Sequence, residues 1–156
     1  ILKDIWEDRR RGACWLPDDV FRKHGVSLAL MSEYGGEPGF AAALDELIGI
    51  ATQHLTNALE FTLRLPASQV GIRRFCLWAL GMAVMTLRKL HAHPAFARGA
   101  QVKISRNTVR ATVAATSLAV RRDGALRRLF ALASASLPAA PVDYLQADVS
   151  CWEHAV

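Results

Sequence analysis

Between Phe40 and Pro66 the positions 44, 47, 48, 51, 55, 58, 59 and 62, apolar but for Thr62, recur at helical spacing, the period that keeps side chains on one face of an α-helix. A one-sided stripe of about seven turns commits the chain to burying that face against other helices. Alternation at a period of two is nearly absent elsewhere, and no Asn-Gly or Asp-Gly hairpin turn joins alternating runs. The chain therefore reads as all-α, a helical bundle.

The other helices follow from punctuation. A first helix is already under way at the start and ends between Arg9 and Gly12. Pro17-Asp18-Asp19 opens a short one through Arg22, which Gly25 stops. Gly35-Gly36-Glu37-Pro38-Gly39 reads as a linker. From Ser68 to about His91 the chain is apolar nearly all round its middle, through Phe75, Leu77, Trp78, Leu80, Met82, Val84 and Met85. That pattern predicts a central helix covered on several sides. His93-Pro94 ends it, and a loop runs to Lys103. Ser105 is placed to cap a helix to about Val120, with a stripe at 109, 113, 116 and 120. Arg121-Arg122-Asp123-Gly124 separates that from a last helix with Leu126, Leu129, Phe130, Ala133 and Leu137 on one face. Residues 1–137 are expected to act as one body and 138–156 as a weakly ordered tail.

A length of 156 residues with 52% hydrophobic and 21% charged residues suits one domain with a core. The net charge of +5 gathers in Arg9-Arg10-Arg11, Arg73-Arg74, Arg88-Lys89, Arg121-Arg122 and Arg127-Arg128. On charge alone diphosphates and an anionic membrane face are equally good partners. Nucleic acid is disfavoured, because no aromatics interleave with these bases and no reading helix is visible. Cys14, Cys76 and Cys151 are too far apart for metal spacing, which points to a reducing, cytoplasmic setting. The uncharged run Phe75–Leu87 falls short of the roughly 20 residues that cross a bilayer. Ile1 follows no Met or leader, so the chain reads as a piece of a longer protein.

Chemistry concentrates in Asp4-Ile5-Trp6-Glu7-Asp8-Arg9-Arg10-Arg11-Gly12-Ala13-Cys14-Trp15-Leu16-Pro17. Carboxylates at i and i+4 on one turn repel unless a cation sits between them, and an all-oxygen pair suits Mg²⁺ on a phosphorylated substrate better than zinc. On spacing alone a solvated, charged helix end explains the same run. No Gly-rich phosphate loop, dinucleotide fingerprint or serine elbow is present, and the histidines His24, His54, His91, His93 and His154 lack metal spacing.

The string from Asp4 to Pro17 resembles the second aspartate-rich motif of the squalene and phytoene synthase family, with Asp4, Glu7, Asp8, Gly12, Trp15 and Pro17 on the pattern and Ala13 where an Arg is usual. Arg73-Arg74-Phe75-Cys76-Leu77-Trp78-Ala79-Leu80-Gly81-Met82-Ala83 and Gly99-Ala100-Gln101-Val102-Lys103-Ile104-Ser105-Arg106 are similar to the squalene-forming branch. Together the matches run in order through most of residues 1–135.

The resemblance implies an isoprenoid-synthase fold in which two aspartate-rich helices face each other across a cavity. Each would hold Mg²⁺ on the diphosphate of a farnesyl diphosphate, and two such substrates would join head to head through presqualene diphosphate. NADPH would then reduce the product to squalene. It implies Asp4 and Asp8 as the Mg²⁺ ligands, with Glu7 supporting them from about 100° round the helix. Lys3 and Arg9 would contact diphosphate, and Lys103 and Arg106 cofactor or substrate phosphate, although Ser105 stands where a base is usual. Phe75, Cys76, Trp78 and Met82 would line a pocket for the isoprenoid chain, the alternative being plain core. A phytoene, dehydrosqualene or presqualene diphosphate synthase, or a non-catalytic helical relative, stays open. The first aspartate-rich helix would lie in a missing N-terminal half, so this piece is expected to show no turnover. Peripheral membrane contact is compatible with the same reading.

Overall fold

The computed structural model describes residues 1–31 and 37–144. A 3₁₀ turn, Leu2–Asp4, leads into α1 (Ile5–Arg10), followed by α2 (Asp18–Lys23), α3 (Phe40–Arg64), α4 (Val70–Ala92), α5 (Arg106–Ala119) and α6 (Asp123–Ser134). Among the described residues there is no strand, so the all-α expectation holds. Gly12, at φ +75°, takes the left-handed conformation that lets the chain turn away after α1. Ser105 caps α5 as expected: its hydroxyl accepts the Thr108 N–H at 3.1 Å.

Short links join α3 to α4 and α5 to α6, the longer loop 93–105 joins α4 to α5, and α4 packs against the other three helices. Two cores result. At one end α1, α2 and the first half of α3 meet the last turns of α4 around Trp6, Phe21, Phe40, Leu44, Ile48 and Leu90. Trp6 stacks on Phe40 at 5.6 Å between centroids, Phe21 tilts onto Phe40 at 5.6 Å, and the Trp6 indole donates to the Phe96 carbonyl at 2.5 Å. At the other end Leu59 and Leu63 of α3 meet Leu77 and Leu80 of α4, Ala119 of α5 and Leu126 of α6. Buried Arg73 crosses this end, donating to the Leu65 carbonyl at 3.0 Å and pairing with Asp123.

Two expectations about α4 need adjusting. The α4 side that carries Ile72 and Phe75 is exposed, so this helix is covered on part of its circumference only. Taken as a whole helix α4 is also long and apolar enough to cross a membrane, which the shorter uncharged run concealed; its packing against three helices is equally that of a core helix. After α6 the Ala139 backbone abuts Gly49 of α3, and the Tyr144 hydroxyl meets His54 Nε2 at 2.6 Å. The Gly35-Gly36 part of the linker, Cys151, His154 and the rest of the tail fall outside the described residues.

Candidate metal and diphosphate site

Asp4 is not part of the helix that carries Asp8. It ends the 3₁₀ turn and stands as N-cap of α1, at φ −105° and ψ 17°. The change of helix type breaks the i, i+4 register on which the Asp4–Asp8 pairing rested. What converges instead is Asp4 with Glu7, against the loop between α4 and α5. Glu7 Oε1 accepts the Gly99 N–H at 3.0 Å and lies 3.6 Å from Arg10. Its other oxygen, Oε2, is buried with no hydrogen-bond partner.

Gly99 makes this convergence possible. A Cβ there would meet the Lys3 carbonyl oxygen at 2.8 Å, Asp4 Oδ1 at 3.1 Å and Glu7 Oε2 at 3.5 Å. Three oxygens thus surround a space that any other residue would fill. Gly99 stands inside the Gly99–Arg106 motif without a role legible in the sequence, because nothing in a single loop glycine announces which part of the chain packs against it. Asp8 lies on another side of α1, beside Ile5, Ala13, Trp15 and Leu16, and its carboxylate has no partner among the described residues.

The basic candidates divide. Lys3 forms an ion pair with Asp4. Arg9 donates from Nη1 to the Leu28 carbonyl at 2.7 Å and from Nη2 to the Met31 carbonyl at 2.6 Å. Its fork therefore braces the chain after α2, where a diphosphate contact was expected. Lys103 and Arg106 are exposed, and they stand at the bundle end where α4 finishes and α5 starts, the end to which α1 is packed. Buried Val102 and the Gly99–Glu7 bond anchor the loop that presents Lys103.

An apolar cavity of about 130 Å³ opens between α4, α5 and α6. Leu77, Leu80, Gly81, Val84 and Met85 line it from α4, facing Thr112 and Thr116 of α5 and Phe130 of α6. None of Phe75, Cys76, Trp78 or Met82 lines it. Phe75 is 74% exposed, and Trp78 Nε1 donates to Ser117 Oγ at 3.1 Å. The lining positions step by three and four along the other side of α4. Gly81 is its overlooked marker, since a Cβ there would run into the Thr112 methyl group. Beside the acidic turn lies an open depression of about 550 Å³, lined by residues 92–96 and Gln101.

The donor set at Gly99 suits a hard cation: carboxylate and carbonyl oxygens only, one of them buried and unpartnered. Among the described residues no three acidic, histidine or cysteine side chains gather at one point. Asp4 and Glu7 are the two carboxylates that meet there, with Asp4 Oδ1 already in its ion pair with Lys3; a pair of carboxylates is the kind of set that suits Mg²⁺, which keeps several waters in its shell. The histidines are engaged elsewhere: His24 Nε2 meets Glu46 at 2.7 Å, and His91 Nδ1 meets Asp45 at 2.7 Å. Burial tends to raise the Glu46 pKa, but hydrogen bonds from His24 and Lys23 outweigh it and hold the carboxyl below its ordinary value.

No curated protein and no solved structure matches the chain. The family model for squalene/phytoene synthase matches residues 1–108, a stretch that holds the acidic turn, the Gly99 loop and the start of α5. That family comprises prenyltransferase-type enzymes that join prenyl units head to head and in general use Mg²⁺ to bind substrate. This chain belongs to the squalene/phytoene synthase family.

Proposed function

We propose that this chain supplies one metal and diphosphate site of an enzyme that condenses two farnesyl diphosphates head to head through presqualene diphosphate, with NADPH reduction to squalene completing the sequence. The observation that carries the reading is the set of three oxygens around Gly99, with Glu7 Oε2 buried and unpaired. Asp4 and Glu7 would hold Mg²⁺, which supplies charge neutralisation that turns diphosphate into a leaving group. Lys103 and Arg106 stand at the same end of the bundle and are available to phosphate oxygens. The apolar cavity beside α4 starts near Met85, and about five residues, roughly 8 Å of helix, separate that residue from Leu90 in the core under the acidic turn. A prenyl chain laid along α4 from the acidic end would enter apolar, water-poor surroundings, which an allylic cation requires.

The motifs around Arg73–Ala83 and Gly99–Arg106 favour the squalene-forming branch over phytoene formation. A second aspartate-rich helix is needed for turnover and would come from a preceding half of the same protein, so residues 1–156 bind but do not turn over. The test is calorimetric titration of the chain with a non-hydrolysable farnesyl thiolodiphosphate, with and without Mg²⁺. Binding that requires both the metal and the prenyl tail is expected. Equal binding without Mg²⁺, or equal binding of inorganic diphosphate, overturns the proposal, and squalene formed by the chain alone overturns its half-site part.

A further inference from the structure

The two cations paired with the acidic turn sit on different oxygens, and the difference decides what each can do. Arg10 Nη2 lies 3.6 Å from Glu7 Oε1, the oxygen that already accepts the Gly99 N–H. It leaves Glu7 Oε2, the oxygen turned toward Gly99, untouched. The Lys3 ammonium instead pairs with Asp4 Oδ1, an atom that faces the same space. One of the three oxygens around Gly99 therefore carries a positive charge already, supplied by the residue whose main-chain carbonyl is another of the three.

A divalent ion that takes Asp4 Oδ1 repels an ammonium held on that same atom. The Lys3 head group is free to yield. Its side chain is 38% exposed, and a flexible four-carbon stem carries a charge with no fixed bonding direction. The Lys3 backbone belongs to the 3₁₀ turn, so the ammonium can move while the carbonyl stays. We infer that Lys3 is a counterion that changes partner: it rests on Asp4 until Mg²⁺ claims that oxygen, and then turns to a diphosphate oxygen of the substrate. The inference rests on the metal and diphosphate reading of this site and adds how the two ligands are coupled. Held on Asp4, Lys3 opposes the metal; released, it serves the diphosphate. Each ligand thus helps the other through one side chain, and by linkage the help is equal in both directions. Arg10 has no such conflict to relieve, because the oxygen it approaches is the one that Gly99 holds.

Calorimetric titration with farnesyl thiolodiphosphate, with and without Mn²⁺ and corrected for the metal that the ligand binds in free solution, gives the factor by which metal tightens ligand binding. That factor should fall about tenfold in Lys3→Met, the loss of one hydrogen bond from a charged donor. Ligand binding without metal should stay at the wild-type value. Mn²⁺ alone should bind Lys3→Met about two- to fivefold more tightly, because an exposed ion pair no longer has to be broken. Lys3→Arg should keep the coupling. Arg10→Gln removes the same charge from the same turn and should leave the coupling factor as in wild type. A fixed positive field would instead shift each ligand separately and leave the factor alike in all four proteins. The Lys3 side chain faces solvent in part, so unfolding midpoints should match wild type. An equal coupling factor in wild type and Lys3→Met, or an equal loss in Arg10→Gln, overturns the exchange and leaves the site standing. Wild type in which Mn²⁺ does not tighten ligand binding overturns both.

Discussion

The Glu7 carboxylate accepts the Gly99 N–H at 3.0 Å, which fixes an acidic turn at the start of the chain to a loop 92 residues later. The bond leaves one Glu7 oxygen buried and unpaired beside Asp4, and it places the loop carrying Lys103 at the same end of the bundle. Gly99 lacks a side chain where three oxygens need the room. Gly99→Ala should therefore cost about 1–3 kcal/mol, the range for forcing extra atoms into packed space. Chemical denaturation would read the loss, and Ala100→Ser, at an exposed position next door, should leave stability unchanged.

Arg9 shows how a motif residue can serve the fold. Its fork holds the Leu28 and Met31 carbonyls at 2.7 and 2.6 Å. Arg9→Met should cost about 2–3 kcal/mol, because hydrogen bonds from a charged donor are lost at a partly buried place. Arg9→Lys should recover less than half of that, since a single ammonium does not span both carbonyls as the planar fork does. Urea unfolding of the three proteins gives the comparison.

Arg73 is 1% exposed while its partner Asp123 is 43% exposed. Asp123→Ala leaves a buried guanidinium with the Leu65 carbonyl alone, at an expected cost of about 3 kcal/mol. Replacing both, Arg73→Met with Asp123→Ala, should cost less than the single change, because the uncompensated charge is then gone. A double-mutant cycle in denaturant measures the difference.

The lowered Glu46 pKa has a defined pH consequence. A carboxyl whose folded pKa lies below its unfolded value adds stability that is fully present above the unfolded value and drains away as pH falls through the folded one. The stability gap between wild type and Glu46→Gln should therefore be steady at neutral pH and close as the solution is acidified below the ordinary carboxylate range. Thermal unfolding of both proteins across that window is the measurement.

Much of this architecture is legible in the chain. The stripe from 44 to 62 gave α3 its bounds to within a turn, Pro66 and Ser105 marked an end and a cap, and the spacing of Leu126, Leu129 and Phe130 set the buried side of α6. The site was harder. Asp4 and Asp8 stand at helical spacing in the sequence, yet the entry turn is 3₁₀, and that shifts Asp4 toward Glu7. The apolar cavity lies on the Leu77–Met85 side of α4, and periodicity cannot choose a face on a helix that is apolar on nearly every side. Contact with α5 chose it, through the close approach of Gly81 and Thr112. Partners far apart in sequence, such as Glu7 with Gly99 or Arg73 with Asp123, leave no local signature.

The most direct test of the metal site is Mn²⁺ binding, followed by electron paramagnetic resonance with Mn²⁺ as the probe for Mg²⁺, on wild type, Asp4→Asn, Glu7→Gln and Asp8→Asn. Removal of Asp4 or Glu7 should weaken binding at least tenfold, about 1.4 kcal/mol each, while Asp8→Asn changes it by less than half that energy. Binding that survives the loss of both Asp4 and Glu7, or that depends on Asp8 alone, would contradict the account.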